Sequence, residues 1–337
     1  MAKPFQIIDE WQLSKVDQVA AAVKREIESK RLKKNAQLPS INEFSKTYNF
    51  ARDTVEKAYK ILKNEGYITS VGGKGYFVLE APEVKMKVLL VMNKLSAFKK
   101  DVYNSLIKTL GENAAVDLKI HHYSLKYLKE IIDSSLGKYN YYILMPHFHY
   151  DAAPDSIKKI LRTIPDDQLI ILDKKIKGLK RKCTEVYQDF KNDIYQALHA
   201  QQKLIKKYKK IIIVLRKEEY HPEEIIDGVK KICAETGKKF EVLNGAENIT
   251  LEKKTLYIDT SEQDLAFLMK KARHQQLTPG KEVGIISFNE TVLKELLDVT
   301  VITTDFTEMG RIVADCILQR KSDAVKVPFY FIKRSTA

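Results

Sequence analysis

The chain has 337 residues, with 58 Lys/Arg against 44 Asp/Glu for a formal net charge of +14, and 44% of it is apolar. That excludes a disordered chain and fits two or three domains with real cores, while the basic balance favours a polyanionic partner without locating it. Cys183, Cys233 and Cys316 are far apart with no Cys-x-x-Cys spacing, and no run of eighteen apolar residues occurs, so a disulfide framework, a zinc site, secretion and membrane spanning are not expected and a cytoplasmic location is.

Phe5 to Trp11 is a short amphipathic lead-in, with Trp11 as a packing plug. A helix is expected from Ser14, where Ser14 and Asp17 form a capping pair and Val16, Val19, Ala20, Val23 and Ile27 make one buried stripe. Lys30 to Lys34 is either a phosphate-contacting run or a basic helix end favoured by the helix dipole. Ser40 and Glu43 have capping-box spacing, so a second helix begins at Ser40 and buries Phe44. Thr47 to Phe50 breaks the pattern. A third helix then starts at Ala51 and packs through Val55, Ala58, Tyr59 and Leu62, leaving Arg52, Asp53, Glu56, Lys57 and Lys60 outside. Such a polar N-terminal face suits a DNA major groove. Gly66 stops the helix, and Tyr67 to Ser70 and Tyr76 to Leu79 flank a glycine turn with Lys74 at its tip, a hairpin wing. A nucleotide-phosphate loop would need Gly-x4-Gly-Lys-Ser/Thr between a strand and a helix, and this run joins two strands.

Leu38-Pro39-Ser40, Arg52-Asp53-Thr54-Val55, Glu65-Gly66-Tyr67-Ile68 and Gly73-Lys74-Gly75-Tyr76-Phe77-Val78 together resemble the winged helix-turn-helix of GntR-family transcription regulators over residues 15 to 79. The resemblance implies that Arg52 reaches base or phosphate, that Ser40 and Thr54 hold phosphates, and that the wing around Gly73 and Lys74 touches the minor groove. Asn42, Asp53 and Lys57 complete the expected DNA-binding face. Many members carry Arg where Asn42 stands, and some carry Arg where Glu56 stands.

Pro82 marks a linker over 81–86 that ends a first domain at residues 1–80. From residue 87 short apolar runs alternate with amphipathic helices: strands at Val88 to Met92, Leu118 to Tyr123, Tyr141 to Met145, Leu169 to Leu172, near Val186, and at Ile211 to Leu215, Phe240 to Leu243, Leu256 to Ile258 and Val283 to Ser287. One connecting helix is expected to run from Asn192 to Lys207. The pattern predicts α/β architecture, parallel sheets wrapped by helices, and its length predicts two lobes. Lys281 to Asn289, Thr303 to Gly310 and Phe331 to Thr336 resemble, in order and spacing, three segments of LacI-type effector domains. The resemblance implies a periplasmic-binding-protein-like fold over 87–337, with the chain crossing between lobes near Asp189, within 289–303 and near Val327.

Ligands of open parallel sheets sit beyond the carboxyl ends of strands. The candidates there are Phe98, His147, Asp173, Arg216, Asp259 and Asn289: carboxylates and amides for hydroxyl groups, and an aromatic face for a sugar ring. Asp189 and Asp259 serve equally well as a helix cap and a strand-end turn residue. His147 and His149 alternate on one strand end as metal ligands could, but no further ligands lie at suitable spacing. The LacI resemblance implies sugar contacts at Asp173 and Asn289. Relatives usually carry Asp where Asn289 stands, and their sugar-clamping Arg falls at Ile225, three residues before Gly228.

The expectation is a homodimeric regulator of a double-stranded DNA operator, a repressor of a carbohydrate-utilisation operon released by a monosaccharide, with no cofactor, metal or membrane partner. The alternatives are a non-sugar effector, a purely dimerising domain, or a fused enzyme, for which no Walker loop, nucleophile elbow or His-Glu-x-x-His motif is present.

Overall fold

The computed structural model describes residue 5 and residues 14–29, 31–79, 86–149, 152–216 and 221–337. Trp11, Lys30, most of the expected linker and Asp151 lie outside the described residues. The chain divides into two compact units, Met1–Lys85 and Met86–Ala337.

The first unit contains α1 (Lys15–Glu28), α2 (Ile41–Tyr48), α3 (Arg52–Asn64) and an antiparallel hairpin of β1 (Ile68–Val71) and β2 (Gly75–Val78). Local chemistry sets the boundaries. Ser14 Oγ accepts from the Asp17 amide at the start of α1, and at α2 the Glu43 amide donates to Ser40 Oγ while the Ser40 amide donates to Glu43. Two otherwise orphaned donors are thus satisfied reciprocally. Asn49 ends α2 in the left-handed conformation, φ 56°, and Gly66 (φ 77°) turns the chain from α3 into the wing. Val19, Val23, Phe44, Val55, Tyr59 and Leu62 are fully buried together.

The second unit is two βα lobes. The first runs β3 (Met86–Met92), α4 (Ala97–Leu110), β4 (Ala114–Ile120), α5 (Leu125–Ser135), β5 (Tyr141–Leu144), α6 (Pro154–Leu161), β6 (Leu169–Asp173) and β7 (Thr184–Tyr187). The second runs α7 (Phe190–His199), α8 (Gln202–Ile205), β8 (Lys210–Val214), α9 (Glu224–Thr236), β9 (Lys239–Leu243), β10 (Thr255–Asp259), α10 (Glu262–His274), β11 (Gly284–Phe288), α11 (Val292–Leu296) and β12 (Thr300–Thr304). Then α12 (Phe306–Gln319) and β13 (Ala324–Lys326) rejoin the first lobe, and β14 (Phe329–Ile332) ends in the second. The sheet orders are β13-β7-β6-β5-β3-β4 and β14-β12-β11-β10-β8-β9, parallel throughout except for β14. Central strands such as β6, β10, β11 and β12 are buried along their whole length, as helices on both sheet faces require.

The chain passes between lobes at Gln188–Asp189, at Asp305 and at Val327–Pro328. The middle passage falls just beyond the expected 289–303, because β11, α11 and β12 form one continuous βαβ unit of the second sheet. Two further boundaries differ from expectation. Strand β4 starts at Ala114, where Ala115 and Asp117 face solvent on an edge strand and hide the apolar run. The helix expected over 192–207 breaks at Gln201 into α7 and α8. Helices α4 and α12 meet closely at Gly310, where a Cβ would stand 2.4 Å from the Val102 carbonyl oxygen.

Candidate functional site

In the first unit the outer face of α3 and the wing present exposed polar groups. Asn42, Arg52, Asp53, Lys57, Gly73 and Lys74 are exposed, and Thr54 is half-buried at the first turn of α3. Arg52 is held at its base: its Nε donates to Asn42 Oδ1 at 3.2 Å, and Glu56 lies 3.6 Å from its guanidinium. The guanidinium therefore stands off the helix with its remaining donors in solvent. Tyr59, fully buried, donates to the Pro39 carbonyl oxygen at 2.9 Å and ties α3 to the start of α2. Gln37 donates to the Lys74 carbonyl oxygen at 2.7 Å, which fixes the wing tip against the segment before α2. Gly73 and Gly75 carry φ of 71° and 104°, values an L side chain rarely takes.

The second unit has a cavity of about 320 Å³ between its lobes, at the carboxyl ends of the strands. Phe98, His147, Asp173 and Asn289 line it, with Lys94, Lys99, Tyr123, Gln188, Phe190, Thr291, Lys294 and Phe306. Asp173 and Asn289, each at a strand end, are both in the left-handed region, φ 78° and 63°. Asp and Asn tolerate this better than other non-glycine residues, and such strain gathers at ligand sites. His147 Nε2 is 2.7 Å from Asp173 Oδ2. Gln188 donates to the other Asp173 oxygen and accepts from Thr304, so a chain of hydrogen bonds runs from the first lobe, through one crossing segment, to the end of the second lobe's β12.

Burial alone would raise the Asp173 carboxyl, but His147, Lys99 and Gln188 outweigh it and hold it below the ordinary carboxylate range. Burial pushes His147 down despite its carboxylate neighbour, so the arrangement is an ionised Asp173 accepting from a neutral imidazole. Burial also draws Lys99 down to about 8; the residue is 4% exposed and its ammonium donates to Asn93. Lys294, 3% exposed on α11, donates to the carbonyl oxygens of Phe288 at 2.6 Å and Asn289 at 2.9 Å. Phe98 and Phe306 pack at a tilt of 31° with centroids 4.7 Å apart, and Ile225 supplies a buried apolar surface where the resemblance would place an arginine.

Arg216 and Asp259 do not line this cavity. Arg216 makes a two-pronged pair with Asp264, Nε at 2.9 Å and an Nη at 2.7 Å, and also meets Glu247 at 2.5 Å. Asp259 is fully buried and accepts from Ser287 Oγ at 2.6 Å. Asp189 is the cap of α7, accepting from the Asn192 amide at 3.3 Å. Gln188, Lys99 and Lys294 escaped the sequence reading. The signal for Gln188 was its place beside the crossover at Asp189; a lysine inside an amphipathic helix carries no comparable mark.

Residues 15–78 match the bacterial regulatory proteins, gntR family. The amino-terminal unit is a GntR-type winged helix-turn-helix. Among curated proteins, the chain is 32% identical over 114 residues to the HTH-type transcriptional regulator TreR of Bacillus subtilis, a match covering 34% of this chain and 43% of that relative. It thus spans less than half the length of that relative. Solved structures resembling the chain include the trehalose repressor from Escherichia coli (TM-score 0.60, 13% identity, 74% of this chain and 100% of that one). Another is a LacI family transcriptional regulator from Enterococcus faecalis with bound ribose (TM-score 0.59, 17% identity, 74% and 98%). The second unit thus shares the two-lobed fold of these solved structures. Among the described residues no helix is long and apolar enough to cross a membrane.

Proposed function

We propose that this protein is a cytoplasmic, one-component transcription regulator that represses a carbohydrate-utilisation operon and is released by a monosaccharide. The observation that carries the reading is the junction in one chain of a GntR-type winged unit with a two-lobed unit whose cleft presents a carboxylate, amides and aromatic faces. On the DNA side, Arg52 and Asp53 enter the major groove with α3 beside Asn42 of α2, Ser40, Thr54 and Lys57 face phosphates, and Gly73 and Lys74 place the wing against the minor groove. In the cleft, Asp173 accepts from sugar hydroxyls, Asn289 donates and accepts, His147 orients Asp173, and Phe98 covers an apolar ring face. The lining lysines Lys94, Lys99 and Lys294 favour a second reading in which the metabolite carries an anionic group. The trehalose repressor and the ribose-bound regulator support the sugar class without selecting a sugar.

The test is thermal unfolding of the full chain against monosaccharides and their phosphates. A ligand of the native state stabilises it by RT ln(1 + [L]/Kd) and so raises the midpoint as its concentration rises. A saturable rise from one of them, abolished in Asp173→Ala and accompanied by release from DNA selected by the wild-type protein, supports the reading. Absence of any rise across the panel, with the protein folded, refutes sugar sensing.

A further inference from the structure

All strands of the first lobe's sheet run parallel, so the amino ends of β3, β6, β7 and β13 share one end of the lobe, opposite the cleft. Strand β3 begins there at Met86, so this is also the end at which the chain enters the second unit. Ser322 Oγ donates to the Lys182 carbonyl oxygen at 2.9 Å, and Thr184 Oγ1 donates to the Lys321 carbonyl oxygen at 2.9 Å. These two bonds staple the approach to β7 to the turn between α12 and β13. Arg181 donates to the Leu161 and Ile164 carbonyl oxygens and joins the chain beyond α6 to the same end. Ile176, Leu179 and Cys183 pack with Leu161 and Ile164, so the connection from β6 to β7 is seated on the lobe.

That anchoring displays cations. Residues 174–182 hold six Lys/Arg in nine positions, and the apolar ones between them turn inward. Arg162, Lys180, Lys182, Arg320 and Lys321 are exposed, and their side chains enter no ion pair among the described residues. Arg320 takes the left-handed position at the end of α12, φ 51°, which glycine or asparagine fills at lower cost. Of the carboxylates on these three segments, Asp166 is spent on Arg181, which leaves Asp167 and Asp323 against five cations. A fixed spread of unpaired cations matches the repeated phosphates of a duplex, which are met by charge and not by sequence. We propose that this end of the second unit contacts the phosphates of DNA flanking the site read by the winged unit. The GntR-type unit precedes Met86 in the same chain, so a duplex it holds is at high effective concentration for this face. No other polyanion has that advantage.

The inference rests on the proposed regulator reading. Duplexes selected by the wild-type full chain are prepared at about 20 bp, the span of two half-sites one turn apart, and extended with unrelated sequence to about 40 bp. Binding of each is followed against salt for the wild type and for Lys182→Gln/Arg320→Gln/Lys321→Gln. On the longer duplex the triple variant should lower the slope of log K against log salt by about 2–3. The wild type then gains about 16- to 64-fold more affinity than the variant between about 200 and 50 mM salt. On the shorter duplex the two proteins should agree, with sequence preference unchanged and the same melting midpoint, since all three side chains are exposed. Lys182→Arg/Lys321→Arg should keep the wild-type slope. An unchanged slope on the longer duplex, or an equal loss on both lengths, overturns the proposal and leaves the regulator reading standing. A wild type that selects no duplex refutes the regulator reading and this contact with it.

Discussion

Replacing Arg216 with methionine separates the scaffold of the second lobe from its cleft. The guanidinium closes a two-pronged pair with Asp264, which is fully buried, and the side chain itself is only 16% exposed. Without it, Asp264 keeps two donors, Ser261 Oγ at 2.8 Å and the Ala246 amide at 2.9 Å. Methionine fills the space of the aliphatic stem, so the loss is that of a buried carboxylate deprived of its cation. Removing one partner of such a pair costs about 3–5 kcal/mol, and the two surviving donors place Arg216→Met at the low end, about 3 kcal/mol. In a unit of this size that lowers the melting midpoint by roughly 6–12 °C. The assay is calorimetric unfolding with and without the ligand found in the panel. The unliganded midpoint should fall while the ligand-induced increment persists, since Arg216 does not line the cavity. A fall equivalent to less than about 1 kcal/mol together with a lost increment would return Arg216 to the ligand and refute the assignment.

Ser40→Ala removes the reciprocal cap of α2 and should cost about 1 kcal/mol in urea unfolding of the first unit's transition; Ser40→Asn, which can still accept, should recover most of it. Lys57→Ala should weaken binding to selected DNA similarly across sequences and lower the slope of log K against log salt by about 1, whereas Arg52→Ala should also relax sequence preference. Burial raises Asp259 to about 7, so the folded state holds its proton more tightly; that stabilisation is complete below the unfolded value near pH 4 and is lost as pH rises toward 7. Asp259→Asn should flatten the dependence of the midpoint on pH in that window, and an unchanged slope would refute the buried-carboxyl argument. Gly310→Ala places a methyl group 2.4 Å from the Val102 carbonyl oxygen and should cost about 1–3 kcal/mol by forcing α12 from α4.

Much of this architecture is legible because it is written locally. The box at Ser40 and Glu43, the stripe Val55, Ala58, Tyr59, Leu62 and the stop at Gly66 each depend on residues a few positions apart, and the structure forms all three. Alternating strands and helices announced parallel sheets for the same reason. The cleft was legible only in part. Phe98, His147, Asp173 and Asn289 come together on one cavity because they follow strand ends, a rule about position that holds whatever their neighbours are. Position alone does not set apart Arg216 and Asp259, which also follow strands yet lie outside that cavity. Their fate is decided by Asp264 and Ser287, partners 48 and 28 residues away that claim them for the interior. Gln188, Lys99 and Lys294 went unseen because their value lies in contacts made across lobes or through a helix.

Those three residues bear directly on how cleft occupancy could be felt elsewhere. An effector shifts an equilibrium only by binding two forms unequally. Asp173 shares its oxygens between His147 and Gln188, and Gln188 is committed in turn to Thr304 beside the Asp305 passage. A hydroxyl that donates to Asp173 therefore competes with Gln188, and the competition is felt where the chain crosses between lobes. On the opposite wall, Lys294 grips the Phe288 and Asn289 carbonyls from inside α11, whose outer side is the exposed apolar face. A ligand group on Asn289 or Lys294 changes the seating of a helix only five residues long, with no intervening element to absorb the displacement. A ligand engaging both walls would therefore touch groups hydrogen-bonded to the lobe crossing and to α11 together, and binding the two forms unequally is what would turn that contact into coupling.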